Sequence, residues 1–117
     1  MPSAESIKIL SYDGSVGIER AVKIKNDIME MFKDHKIVTV NMSRIQKIDL
    51  SFIQILYAAR REAGIRKKEF HISGTLSESV KDAFLVGGFC KEVGDDAQTL
   101  EKQLFEFSQQ NSGQGTK

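Results

Sequence analysis

Asp49, Leu50 and Ser51 stand between an apolar run, Ile37-Val38-Thr39-Val40, and a stretch with helical periodicity. Phe52, Ile55, Leu56, Ala59 and Ala63 recur there at three- and four-residue steps, which predicts an amphipathic helix starting near Ser51. Ser51 with Gln54 three residues on has the spacing of a capping box, and Asp49 is a second candidate cap. A buried strand thus delivers a carboxylate and a hydroxyl to a helix start. Unpaired backbone N–H groups at such a start favour anions. Thr75 and Ser77 are fallback hydroxyls at another predicted helix start, and Thr75 with Glu78 repeats the capping-box spacing.

The rest of the sequence offers little for catalysis. His35 sits in a charged turn, and His71 alternates with Phe70 and Ile72 in a predicted strand, facing solvent or a sheet edge. Neither histidine has a partner at ligand or triad spacing. Cys90 follows Gly87-Gly88-Phe89 and reads as a small buried filler rather than a nucleophile. Gly87-Gly88 follows a helix, whereas a phosphate-binding glycine loop follows a strand. Arg60, Arg61, Arg66, Lys67 and Lys68 form the densest basic cluster, which reads either as a patch for an acidic partner, phosphate or membrane lipid or as a solvated helix end whose cations complement the dipole; Glu62 and Glu69 interleaved favour the solvated end. No catalytic residue, metal ligand or cofactor is expected.

The elements that must position Asp49 and Ser51 can be taken in order. Ile7-Lys8-Ile9-Leu10-Ser11-Tyr12 nearly alternates and predicts a strand, closed by a turn at Asp13-Gly14-Ser15. Ile18, Ala21, Val22, Ile28, Met29 and Phe32 predict the inner stripe of a helix ended by Asp34-His35-Lys36. Ile37-Val40 is the central strand, and Asn41 to Lys47 reads as a polar loop. Gly64 is placed to stop the central helix. Phe70-His71-Ile72 is a third strand, and a third helix runs from about Ser77 to Val86 with Val80, Phe84 and Ala83 inward. Asp95-Asp96 caps a last helix from about Ala97 to Phe107, with Leu100, Leu104 and Phe107 inward. The order predicts an α/β fold: a small mixed, mainly parallel sheet with about four flanking helices and right-handed crossovers. Residues 1–107 are expected to form one domain, and 108–117, which hold no apolar residue, a disordered tail.

The chain has 117 residues, 40% hydrophobic and 28% charged, with a net charge of +1, which is ordinary for one globular domain. That charge gives no reason to expect nucleic acid. A lone cysteine suits a reducing compartment. No apolar run approaches the ~20 residues that span a bilayer, and the N-terminus lacks the regions of a signal peptide. A cytoplasmic location without membrane insertion is expected.

Val38-Thr39-Val40-Asn41-Met42-Ser43, then Ile48-Asp49 and a hydroxyl-bearing turn into an apolar helix, resembles the signature of the STAS domain. That family includes bacterial anti-sigma-factor antagonists and the cytoplasmic tails of sulfate transporters. The element order carries the resemblance from roughly Ser6 to Phe107, and the resemblance implies a short extra strand near the N-terminus, for which Ser15-Val16 is the candidate. The family pattern at the helix start is Asp, Ser or Thr, a small residue, Gly, Leu. Asp49 matches it; Leu50 stands where the hydroxyl is expected, Ser51 comes one place later, and Phe52 replaces Gly. The resemblance implies a non-catalytic, protein-binding regulatory module in bacterial signal transduction and transcription regulation. It implies docking through Asp49, Leu50, Ser51, Phe52 and Gln54 onto a protein partner such as an anti-sigma factor with serine kinase activity, and phosphorylation at Ser51. The alternative it leaves open is a structural or assembly subunit of a transporter or sensory complex, without a phosphoswitch.

Overall fold

The structure is a computed structural model describing residues 6–105. Along them run β1 (Ile7–Ser11), β2 (Gly14–Val16), α1 (Ile18–Met31), β3 (Ile37–Asn41), β4 (Ile45–Ile48), α2 (Leu50–Ile65), β5 (Glu69–Ser73) and α3 (Glu78–Val86). A last helix, α4, covers 97–105. The expected α/β fold with four helices is present. Phe107 and the expected tail, 108–117, lie outside the described residues.

The β-branched run places β3 in the centre of a parallel three-stranded sheet, order β1-β3-β5. Its register aligns Lys8, Val38 and Phe70, then Leu10, Val40 and Ile72, on one face. Val38, Val40, Phe70 and Ile72 are fully buried in the core. The opposite face carries Ile9, Thr39 and His71 in register and is open or half-open. Ile7 and Ile9 therefore point away from the core.

The stretch expected to be a polar loop after β3 contains a strand instead. Ile45–Ile48 forms β4, paired in parallel with Gly14–Val16, so the short extra strand at Ser15-Val16 is real and has its own partner. Ile45 and Ile48 face inward while Gln46 and Lys47 face water, a pattern without strict alternation. The sheet expected as one unit is thus two parallel sheets.

In α1, Ala21, Ile24 and Ile28 are buried and Phe32 follows them. Ile18 and Val22 were expected on that stripe but are 65% and 56% exposed. Val22 lies about 100° around the helix from Ala21, on the side away from Ile24 and Ile28, and Ile18 lies in the first turn, beyond the packed part of the helix.

In α2, Phe52, Ile53, Leu56, Ala59 and Ala63 are buried, with Ile55 only half-buried. The helix does not stop at Gly64. It continues to Ile65, with Arg66 as C-cap and Lys67 in the left-handed region at φ 60°. Lys68 N–H donates to Ala63 O at 2.7 Å and Lys67 N–H to Gly64 O at 3.2 Å. This pair of bonds is a Schellman ending, with a lysine where glycine is the usual residue. The end of α3 has the same form with the expected glycine: Gly88 at φ 80°, Phe89 N–H to Phe84 O, and the Phe84 and Phe89 rings 6.4 Å apart.

Three loops meet beyond the ends of β3 and β5. Met42 N–H donates to Ser73 O, Leu76 N–H to Asp95 O and Ala97 N–H to Gly74 O, at 2.7, 2.7 and 2.8 Å. Ser43 Oγ accepts the Thr75 N–H at 3.0 Å. Gly74, at φ 93°, lies so close to this junction that a Cβ there would overlap Ser43 Oγ.

Candidate functional site

Helix α2 starts one residue earlier than its apolar stripe suggests. Asp49 is the N-cap, with φ −124° and ψ −176°, and its Oδ1 accepts the Ser51 N–H at 3.0 Å. The capping box expected between Ser51 and Gln54 is not formed. Among the described residues the Ser51 hydroxyl makes no hydrogen bond, and the side chain is half-buried in the first turn.

The five residues expected to act together divide by the helix period. Asp49, Leu50 and Gln54 are exposed, Ser51 is half-buried, and Phe52 is fully buried. Phe52 packs in the core and offers no surface to a partner, because the third helical position turns inward beside Ile53 and Leu56. Leu50 is 54% exposed.

A neighbouring helix start adds to the corner. A Cβ placed on Gly17, the N-cap of α1, would lie 3.5 Å from Asp49 Oδ2. Ile18 and Leu50, the first residues of α1 and α2, thus follow two residues in near contact, and both are exposed. A shallow cleft of about 200 Å³ beside them is lined by Val16, Gly17, Lys47 and Asp49 among others. Ile18 escaped the sequence reading because its apolar side chain fits a core stripe; its position at a helix start was the available signal.

The fallback hydroxyls are otherwise placed. Ser77 Oγ caps α3 by accepting the Val80 N–H at 3.1 Å and donates to Gln46 O at 2.9 Å. Thr75 is not the cap of α3; it forms a bridge with Asp96. Asp96 Oδ1 caps α4 by accepting the Gln98 N–H at 2.9 Å.

His71 lies on the edge strand β5, as expected, and is half-buried there. Its Nδ1 lies 2.7 Å from Glu101 Oε2 and its Nε2 3.0 Å from Glu69 Oε1. Burial would lower the imidazole, but the hydrogen bonds to Glu101 and Glu69 outweigh it and hold His71 above its ordinary value. Spacing could not reveal Glu101, which lies 30 residues away. Cys90 is half-buried, and burial pushes its thiol up.

The basic cluster is not simply a solvated helix end: no cation lies in the last turn of α2, and three of the five residues are engaged by the fold. Arg66 Nε pairs with Glu62 at 2.8 Å, Lys68 Nζ donates to Phe32 O, and Arg60 donates to Phe70 O at 3.0 Å while lying 4.7 Å from the Phe105 ring centre. Among the described residues, no helix is long and apolar enough to cross a membrane.

Comparison with curated proteins finds no match. A solved structure described as "Crystal Structure Analysis of Mglu" aligns at 14% identity and a TM-score of 0.49, over 55% of this chain and 16% of its own. The chain therefore corresponds to a small part of that protein, and the likeness is too slight to bear on function. The family model of the STAS domain matches residues 1–106. That match spans every element from β1 to α4, including the capped start of α2: the chain belongs to the STAS domain family.

Proposed function

We propose that this STAS domain is a non-catalytic protein-binding module of the anti-sigma-factor-antagonist type, docking through the α2 start and switched by phosphate on Ser51. The observation that carries the reading is the exposed Leu50 beside a hydroxyl that no protein group engages among the described residues. Asp49, Leu50 and Gln54 form the contact surface, and Ile18 extends it with a second apolar residue. A protein with serine kinase activity fits as the partner, since one surface then serves for docking and for phosphate transfer.

Phosphate on Ser51 adds about −1.5 to −2 charges at neutral pH. The helix start accommodates that charge, because its free N–H groups and dipole favour anions. The fold survives, and a surface matched to a neutral hydroxyl meets a bulky dianion. The partner is released.

Two measurements test this. A photo-crosslinker at position 50 or 54, in the native host, is expected to capture a protein carrying a kinase-type ATP site, and one at exposed Lys33 is not. Intact mass before and after phosphatase is expected to locate one phosphate, on Ser51. Capture at position 50 with no phosphate, and with Ser51→Asp still binding, would favour a constitutive assembly subunit. The register of Leu50 at the family's hydroxyl position supports that second reading. No capture at either position removes the docking surface.

A further inference from the structure

The outer edge of β5 is covered by side chains rather than by another strand. Arg60 of α2 donates to Phe70 O at 3.0 Å, and Glu101 Oε1 of α4 accepts the Ile72 N–H at 2.7 Å. Glu101 uses its second oxygen for His71 Nδ1, while Glu69 takes Nε2 from the other side. A neutral imidazole has one donor and one acceptor nitrogen, so against two carboxylates one of its contacts is always unfavourable. Only the imidazolium donates to both. We propose that His71 is a proton-operated latch: doubly protonated, it holds α4 on the edge of β5, and neutral, it lets α4 open and uncover that edge.

The groups around the ring set the sign. Glu69 faces it from β5 itself and Glu101 from α4; the neighbours in register on β3 and β1, Thr39 and Ile9, carry no charge. From α2, Arg60 lies 3.9 Å from Glu101 Oε2, and Arg61 lines the same groove of about 800 Å³, as does Lys68. Their like charge opposes the imidazolium, at longer range than the two carboxylates that touch the ring, and so reduces the size of the effect. The two carboxylates hold His71 above its ordinary value despite burial. A histidine raised in the closed form by Glu101 stabilises that form fully below its open-state value, where Glu69 alone remains beside it, and loses this as pH rises through the closed-form value. Docking of α4 therefore weakens on the alkaline side.

What opens is specific. Ala97, Leu100, Leu104 and Phe105 seal the core from α4, and Ile72 N–H lies beneath Glu101. Release leaves an unpaired strand edge, a surface that accepts an added strand.

Proton NMR of the His71 ring, with hydrogen exchange of α4 and Ile72 amides corrected for intrinsic rates, tests this from about pH 5.5 to 8.5. The ring is expected to titrate above 6.5, and the opening of α4 to increase across that titration. Each pH unit between the closed and open values corresponds to about a tenfold change in opening. Glu101→Gln, which keeps a carbonyl oxygen for the Ile72 N–H, is expected to lower the His71 value in the closed form and shrink the pH dependence; His71→Gln abolishes it. A flat α4 opening across the wild-type titration, or a His71 value at or below 6.5, overturns the latch whatever the variants do.

Discussion

Asp49 Oδ1 accepts the Ser51 N–H at 3.0 Å, so a carboxylate caps α2 and the Ser51 hydroxyl takes no part in holding the helix start. Asp49→Ala is expected to cost about 0.5–2 kcal/mol. Ser51→Ala should stay within about 0.5 kcal/mol, and Ser51→Asp should be neutral or gain about 0.3–1 kcal/mol from the helix dipole. Thermal unfolding of the three variants in parallel checks this. A Ser51→Ala loss equal to that of Asp49→Ala would return the capping role to the hydroxyl.

Leu50 and Leu56 separate surface from core along one helix. Leu56 is fully buried, and Leu56→Ala is expected to cost about 2–5 kcal/mol through lost contacts and a residual cavity. Leu50→Ala should change stability by less than about 0.5 kcal/mol. Urea midpoints at unchanged slope provide the comparison, and the same two proteins separate a folding defect from a binding defect in any capture assay.

Gly74→Ala is expected to destabilise by about 1–3 kcal/mol from the left-handed backbone alone. Overlap with Ser43 Oγ adds to that. Ser43→Ala in the same chain should recover part of the loss, so the two substitutions will not be additive. Simple additivity in denaturant titration would mean that Ser43 is not the obstruction.

At the end of α2 the expectation runs the other way. Lys67 adopts φ 60°, and Lys67→Gly should stabilise by about 0.5–1 kcal/mol because glycine enters that region without the Cβ penalty. Lys67→Val should lose more than the glycine gains. An unchanged unfolding midpoint for Lys67→Gly would show that the lysine is not strained there.

The strands and helices with clean periodicity were legible: β3 from its β-branched run, α3 from Ser77 and the Val80–Phe84 spacing, α4 from Asp96. Gln46 and Lys47 hid β4, because two consecutive polar residues break the two-residue alternation, and its partner carries an irregular register between Gly14 and Ser15. Gly64 was misleading for a related reason. A glycine inside a helix is tolerated at about 1 kcal/mol relative to alanine, and three further residues carried the ending to Lys67. At the candidate site, the composition of Asp49-Leu50-Ser51 was legible, but the division of labour was not. Which residue caps depends on backbone angles at Asp49, and which apolar residue stays outside depends on where α1 lies. Glu101 was invisible because its partners are distant in sequence.

The loop junction around Gly74 also decides where this chain can be lengthened. Segments 42–43, 73–76 and 95–97 are laced by backbone bonds in three directions, so added residues at 74–75 would pull apart groups from all three at once. The stretch from Lys91 to Gly94, ahead of that junction and exposed except at Val93, is a better point of entry for a tag or reporter. Its exposed residues Lys91, Glu92 and Gly94 leave room for an insert to loop outward, at a conformational cost that grows only slowly with length.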